Sequence, residues 1–126
     1  MPIFTHVAVG SNNLEKSRKF YDATLGALGL KRLGDVDTAS FYGATAPEFM
    51  VTKTANGKPA SGGNGGTISF MAPNRAAVDS FHKQALALGG TCEGPPGPRP
   101  VAPNAYAAYV RDPDGNKLAT FSFAAP

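Results

Sequence analysis

The chain has 126 residues, 42% of them hydrophobic, which suffices for one compact domain burying about two-thirds of its unfolded surface. Twelve Lys and Arg against nine Asp and Glu leave a net charge of only +3, with no basic cluster beyond Lys16, Arg18 and Lys19, so no face for tracking nucleic-acid phosphates is expected. The single cysteine, Cys92, excludes an internal disulfide and a cysteine-based zinc pattern, and no run of about 18 apolar residues or basic-then-apolar leader occurs; the expectation is a soluble cytoplasmic protein without membrane contact.

Residues 3–9 alternate and are rich in β-branched side chains, which predicts a strand with Phe4, His6 and Ala8 on its less apolar face. Ser11, Asn12 and Asn13 offer helix caps, and Leu14, Tyr21, Leu25 and Leu28 recur at helical spacing, predicting a helix over about 13–25 that stops at Gly26 and Gly29. Three short strands follow, at 29–33, 38–43 and 48–53. Residues 55–66 contain five glycines and a proline and read as a linker or exposed loop. These glycines precede a strand and not a helix, so they lack the helix N-terminus that makes a glycine loop hold phosphate.

The pattern then restarts. A strand is predicted at 67–71, and a helix after Pro73-Asn74 with Ala77, Val78, Phe81, Ala85 and Leu88 on one face, ended by Gly89-Gly90. Thr91-Cys92-Glu93 is a short segment, and 94–104, with five prolines and two glycines, reads as an extended or lid-like loop. Tyr106–Arg111 and Lys117–Phe123 flank Asp112-Pro113-Asp114-Gly115-Asn116, a hairpin turn. An offset of 61 residues maps Phe20 onto Phe81, Leu25 onto Leu86, Gly29 onto Gly90 and His6 onto Thr67. Two copies of one unit are indicated, 1–54 and 67–126, joined by 55–66 within one domain.

The segment Thr5-His6-Val7-Ala8-Val9, the run Ser17-Arg18-Lys19-Phe20-Tyr21 leading to Leu25-Gly26, and Arg111-Asp112-Pro113-Asp114-Gly115-Asn116-Lys117-Leu118 carry a family resemblance over nearly the whole chain. Together with the repeated strand-helix-three-strand order, the chain resembles the glyoxalase, bleomycin-resistance and extradiol-dioxygenase superfamily, the vicinal oxygen chelate fold. The resemblance implies an α+β architecture: two βαβββ modules form a curled mixed sheet around a cup-shaped cavity, with helices outside and the cup often built across a homodimer. In catalytic members a divalent metal on His, Glu or Gln side chains chelates vicinal oxygens of the substrate, stabilising an enediolate or binding a catechol with dioxygen.

Carried over, the first-strand ligand falls on His6, its counterpart in the second module on Thr67, and the last-strand carboxylate on Ala119; the remaining position lies near Val51, with Glu48 reachable only by a register shift. Thr is a weak ligand and Ala none, and an isolated imidazole does not hold a metal usefully. The expectation is therefore a degenerate metal site, no cofactor, and a small aromatic or amphiphilic ligand walled by Phe4, His6, Thr67, Tyr109, Ala119 and Phe121. Arg99, on the Pro-rich loop that borders the cup in the resembled family, is placed to meet an anion. The alternative is a metal-dependent lactoylglutathione-lyase-like enzyme or ring-cleaving dioxygenase, with His6 and displaced ligands holding nickel, zinc, manganese or iron. No base for Cys92 is visible, and His82 reads as a solvated helix-surface residue.

Overall fold

A computed structural model describes residues 3–126. The first module runs β1 (Val7–Gly10), α1 (Leu14–Gly26), β2 (Lys31–Val36), β3 (Ala39–Gly43) and β4 (Phe49–Thr52); the second runs β5 (Ile68–Met71), α2 (Arg75–Ala87), β6 (Thr91–Pro98), β7 (Tyr106–Arg111) and β8 (Lys117–Ser122). Each module closes its own four-stranded mixed sheet, in the orders β1-β4-β3-β2 and β5-β8-β7-β6, with the first strand parallel to the last. The expected α+β architecture of paired βαβββ modules is observed.

The helix caps show why these segments fold. The Asn13 side chain accepts from the backbone N–H of Lys16 at 3.1 Å, and Asn74 accepts from Ala77 at 2.9 Å, each satisfying an otherwise orphaned donor. Both helices end through a positive-φ glycine, Gly29 at 85° and Gly89 at 94°, and the next residue donates back to Leu25 or Ala85. Phe20 and Phe81 are both fully buried, but Leu86, opposite Leu25 in the repeat, is 43% exposed while Leu25 is fully buried. Ala85 takes the inward place in the second helix.

Two expectations need correction. The first strand begins at Val7 and not at residue 3; the ladder's last bond runs from Val7 N to Glu48 O, and the Glu48 N–H that would extend it donates instead to Tyr42 O. Residues 94–98, expected in a loop, belong to β6, which carries its prolines as an edge strand with register shifts between Cys92 and Gly94 and between Gly94 and Gly97. An edge strand tolerates Pro because only one side of it pairs. The Gly-rich connector has no helix or strand, yet it is tied down: Asn12 exchanges two hydrogen bonds with the backbone of Ala60, at 2.6 and 2.9 Å.

The modules share one core. α1 packs on α2, and Phe49 of β4 meets Phe70 of β5 edge-on at 5.2 Å. Asp112, 3% exposed, locks the modules together. Its Oδ1 accepts from the backbone N–H of Asp114 and Asn116, both at 2.9 Å, and its Oδ2 accepts from the Asn116 amide at 2.8 Å and from the Tyr21 hydroxyl at 2.5 Å. Asn116 also donates to Gly10 O, and Asp114 accepts from Asn12 N and Ser17 Oγ. The Asp-Pro-Asp-Gly-Asn turn is thus both the expected hairpin and the clasp onto the first module.

Burial, and then the neighbouring Asp112 carboxylate, push the Tyr21 phenol well above its ordinary range. The raised value stabilises the fold fully below the unfolded value of about 10, and that contribution is lost as pH rises toward the folded value. The expected result is a fall in unfolding free energy above about pH 10, with a slope from Tyr21 of up to about 1.4 kcal/mol per pH unit. Urea midpoints measured from pH 8 to 11.5 check it, and a flat profile would contradict it.

Candidate functional site

Strand alternation sorts the side chains of each sheet. Val7, Val9, Tyr42, Phe49 and Val51 are in register on one face of the first sheet and contribute to the core; Ala8, Met50 and Phe41 share the other face. In the second sheet Phe70, Ala108, Val110 and Leu118 belong to the core, and Ser69, Met71, Tyr109, Ala119 and Phe121 share the opposite face. Because Val51 is fully buried in the core, the first-module position matching Ala119 is Met50. Glu48 lies just before β4, where its backbone carbonyl accepts from Val7 N, and it borders the cavity between the modules, which His6 does not line.

Two cavities adjoin β5. The first, about 450 Å³, lies between the modules and is lined by Phe4, Thr67, Glu48 and the rings of Tyr42, Phe49 and Phe70. The second, about 410 Å³, is lined by Ser69, Phe70, Met71, Val101, Phe121 and Phe123. Ser69, Phe70 and Met71 border both, so one strand divides them. Around the second cavity the rings form a continuous surface: Tyr109 meets Phe121 edge-on at 5.9 Å, and Phe121 stacks on Phe123 at 5.8 Å. Met71 and Val101 are each 70% exposed, which leaves an apolar patch open beside these rings.

The expected site residues divide between these places. Phe4 and Thr67 border the first cavity, and Phe121 borders the second. Tyr109 adjoins Phe121, and Ala119, in register with Tyr109 and Ser69, is buried. Arg99 does not reach into open solvent. Its guanidinium donates to the backbone carbonyls of Pro95, Gly97 and Pro98 at 2.7 to 3.2 Å and lies 5.5 Å from the Tyr109 ring centre. Gly94 makes this possible, since a Cβ there would come within 3.0 Å of Tyr109 and 3.4 Å of the guanidinium. His6 is exposed, with Nδ1 3.1 Å from Thr5 Oγ1, and lines neither cavity.

The donor chemistry does not fit the metal that the resembled family employs. The four positions hold an imidazole (His6), a hydroxyl (Thr67), a methyl group (Ala119) and a thioether (Met50), and hard or borderline divalent ions need carboxylate or further imidazole in those places. Among the described residues no group of three or more His, Cys, Asp and Glu side chains comes together.

Sequence reasoning missed two features. Lys117, just past the clasp, holds its ammonium 5.5 Å from the Tyr109 ring centre. His82 Nε2 lies 3.2 Å from Cys92 Sγ, so the cysteine does have an imidazole neighbour. Burial holds the His82 imidazole below its ordinary range, against the opposing pull of Asp79. The helix period could place His82 beside the apolar stripe, but which strand it meets depends on module packing.

No helix among the described residues is long and apolar enough to cross a membrane. A search of curated proteins finds no match. Among solved structures, a glyoxalase/bleomycin resistance protein from Albidiferax ferrireducens T118 is similar at 46% identity and TM-score 0.88, over 96% of this chain and 98% of that one. In fold alone, a lactoylglutathione lyase from Agrobacterium tumefaciens is similar at 22% identity and TM-score 0.66, over 97% of this chain and 95% of that one. The fosfomycin resistance protein FosX from Listeria monocytogenes is similar at 16% identity and TM-score 0.68, over 97% and 93%. The model of one protein family matches residues 3–120, and with the paired βαβββ modules it establishes that the chain belongs to the Glyoxalase/Bleomycin resistance protein/Dioxygenase superfamily.

Proposed function

We propose that this protein binds a small aromatic or amphiphilic ligand without a metal, in a cleft that a second copy of the chain completes. The observation that carries the reading is the ring surface of Tyr109, Phe121 and Phe123 beside the exposed Met71 and Val101: mostly apolar walls with few polar groups suit such a ligand. The dimer follows from the same patch. The face of the second sheet away from the helices keeps large apolar side chains in water, and a self-complementary two-fold pairing would cover them. A lone exposed Cys92 fits a reducing, cytoplasmic setting.

The test uses the uncharged probe N-phenyl-1-naphthylamine, whose emission rises in apolar surroundings; the chain has no tryptophan to interfere. Saturable binding that is unchanged by EDTA and at least tenfold weaker in Phe121→Asp is expected, from protein that sediments as a dimer. Loss of binding in EDTA would contradict the metal-free reading. It would favour a metal-dependent lyase or dioxygenase that uses His6 with displaced ligands.

A further inference from the structure

Resting on that binding reading, we infer that the ligand is a flat aromatic anion, its ring on the Tyr109–Phe121–Phe123 surface and its carboxylate on the ammonium of Lys117. Two cations stand over Tyr109, the Lys117 Nζ and the Arg99 guanidinium, each 5.5 Å from the ring centre. They are not equivalent. Arg99 spends hydrogen bonds on Pro95, Gly97 and Pro98, so it supplies positive field and holds the tyrosine, with little left for a fork around a carboxylate.

Lys117 has its donors to offer. The ion pairs among the described residues are made by Arg18, Arg32 and Arg111, and none by Lys117. Glu93, the acid that feels Lys117, is already bonded to Arg111 at 2.6 Å. An unpaired ammonium next to an exposed aromatic surface is charge-complementary to an amphiphile with an anionic end.

Strand geometry sets the size. Lys117 and Phe121 lie on the same face of β8, and with the ammonium 5.5 Å from the Tyr109 ring centre and that centre 5.9 Å from Phe121, the charge lies no more than about 11 Å from the Phe121 ring. The residue between them on that face, Ala119, is buried along with Ala107 opposite Phe121, so the surface presented belongs to the larger rings. A two-ring aromatic acid, with a contact of about 2.8 Å from its carboxylate to the ammonium, fits within that reach. The repeat supplies a contrast, because by strand register Lys117 holds in the second module the place that Glu48 holds in the first. Of the two half-sites, only the second offers a cation there.

The experiment compares 2-naphthoate with its neutral isostere 2-naphthamide, by calorimetric titration of the intact protein and of Lys117→Met. Methionine keeps an apolar stem over Tyr109 and removes the charge. Naphthoate is expected to bind about tenfold more tightly than the amide, as one charge-assisted contact contributes. In Lys117→Met that advantage disappears, with acid and amide binding alike, and an unaltered circular-dichroism spectrum shows that the variant is folded. Equal binding of acid and amide to the unaltered protein overturns the anion assignment and leaves the aromatic cleft standing. An advantage that survives in Lys117→Met overturns the role of Lys117. Failure of both naphthalenes and of the neutral probe to bind overturns the binding reading itself, and this inference with it.

Discussion

Asp112→Ala lowers the unfolding free energy by about 3–5 kcal/mol, a large part of the 5–15 kcal/mol typical of a domain this size. The carboxylate is buried and accepts four hydrogen bonds, two from backbone N–H groups, one from the Asn116 amide and one from the Tyr21 hydroxyl. Alanine leaves the two backbone donors and the Tyr21 hydroxyl without a partner and the Asn116 amide with Gly10 O alone, and Tyr21, fully buried, has no water to turn to. Asp112→Asn is milder. Its oxygen still serves the backbone donors, but its amide nitrogen meets the Asn116 amide donor to donor. Urea unfolding followed by circular dichroism ranks the variants as native, then Asn, then Ala. A loss below about 1 kcal/mol for Ala would show that the turn closes without the clasp.

Phe49→Ala costs about 3–5 kcal/mol, the range for emptying a fully packed phenylalanine site. Phe49 is 3% exposed and touches both modules: its ring lies 4.9 Å from Tyr21 and 5.2 Å from Phe70, centre to centre. Because Phe49 also borders the cavity between the modules, truncation enlarges that cavity and the core on the same side cannot close over it. A double-mutant cycle with Phe70→Leu separates the ring pair from general core loss; a coupling of about 0.5–1.5 kcal/mol is expected. Zero coupling would mean that the two modules stabilise themselves independently across this contact.

The fold was legible because its information is local and repeated. Asn13 and Asn74 cap, Phe20 and Phe81 anchor, Gly29 and Gly89 terminate, and each statement needs only a few neighbouring residues. Strand ends were less legible. That β1 starts at Val7 depends on Glu48, whose N–H, the next donor along the ladder, is spent on Tyr42 O of β3. β6 was hidden because five prolines between residues 94 and 104 read as loop, and only the pairing of Gly94, Gly97 and Pro98 with β7 shows that an edge can carry three of them.

The candidate site was legible as a set of faces but not as contacts. Alternation within each strand pairs Tyr109 with Arg111 and Ala119 with Phe121, and the register of β7 on β8 is what brings the Tyr109 and Phe121 rings together. It could not show that Arg99 folds back onto its own strand, nor that Lys117 stands over Tyr109, because both depend on bulges and hairpin register. The clasp on Asp112 was equally silent: the turn motif is local, but its decisive partner, Tyr21, lies 91 positions earlier.

The central claim is a metal-independent aromatic cleft, and thermal unfolding of EDTA-treated protein tests it most directly, with 2-naphthoate, nickel, zinc, manganese and ferrous iron titrated separately. A ligand at a hundredfold its Kd stabilises the native state by about 2.7 kcal/mol, several degrees in Tm for a chain of this length. The account predicts a saturable rise with naphthoate alone and none with the metals. A rise with near-stoichiometric metal, and a naphthoate effect only after metal is added, would contradict it.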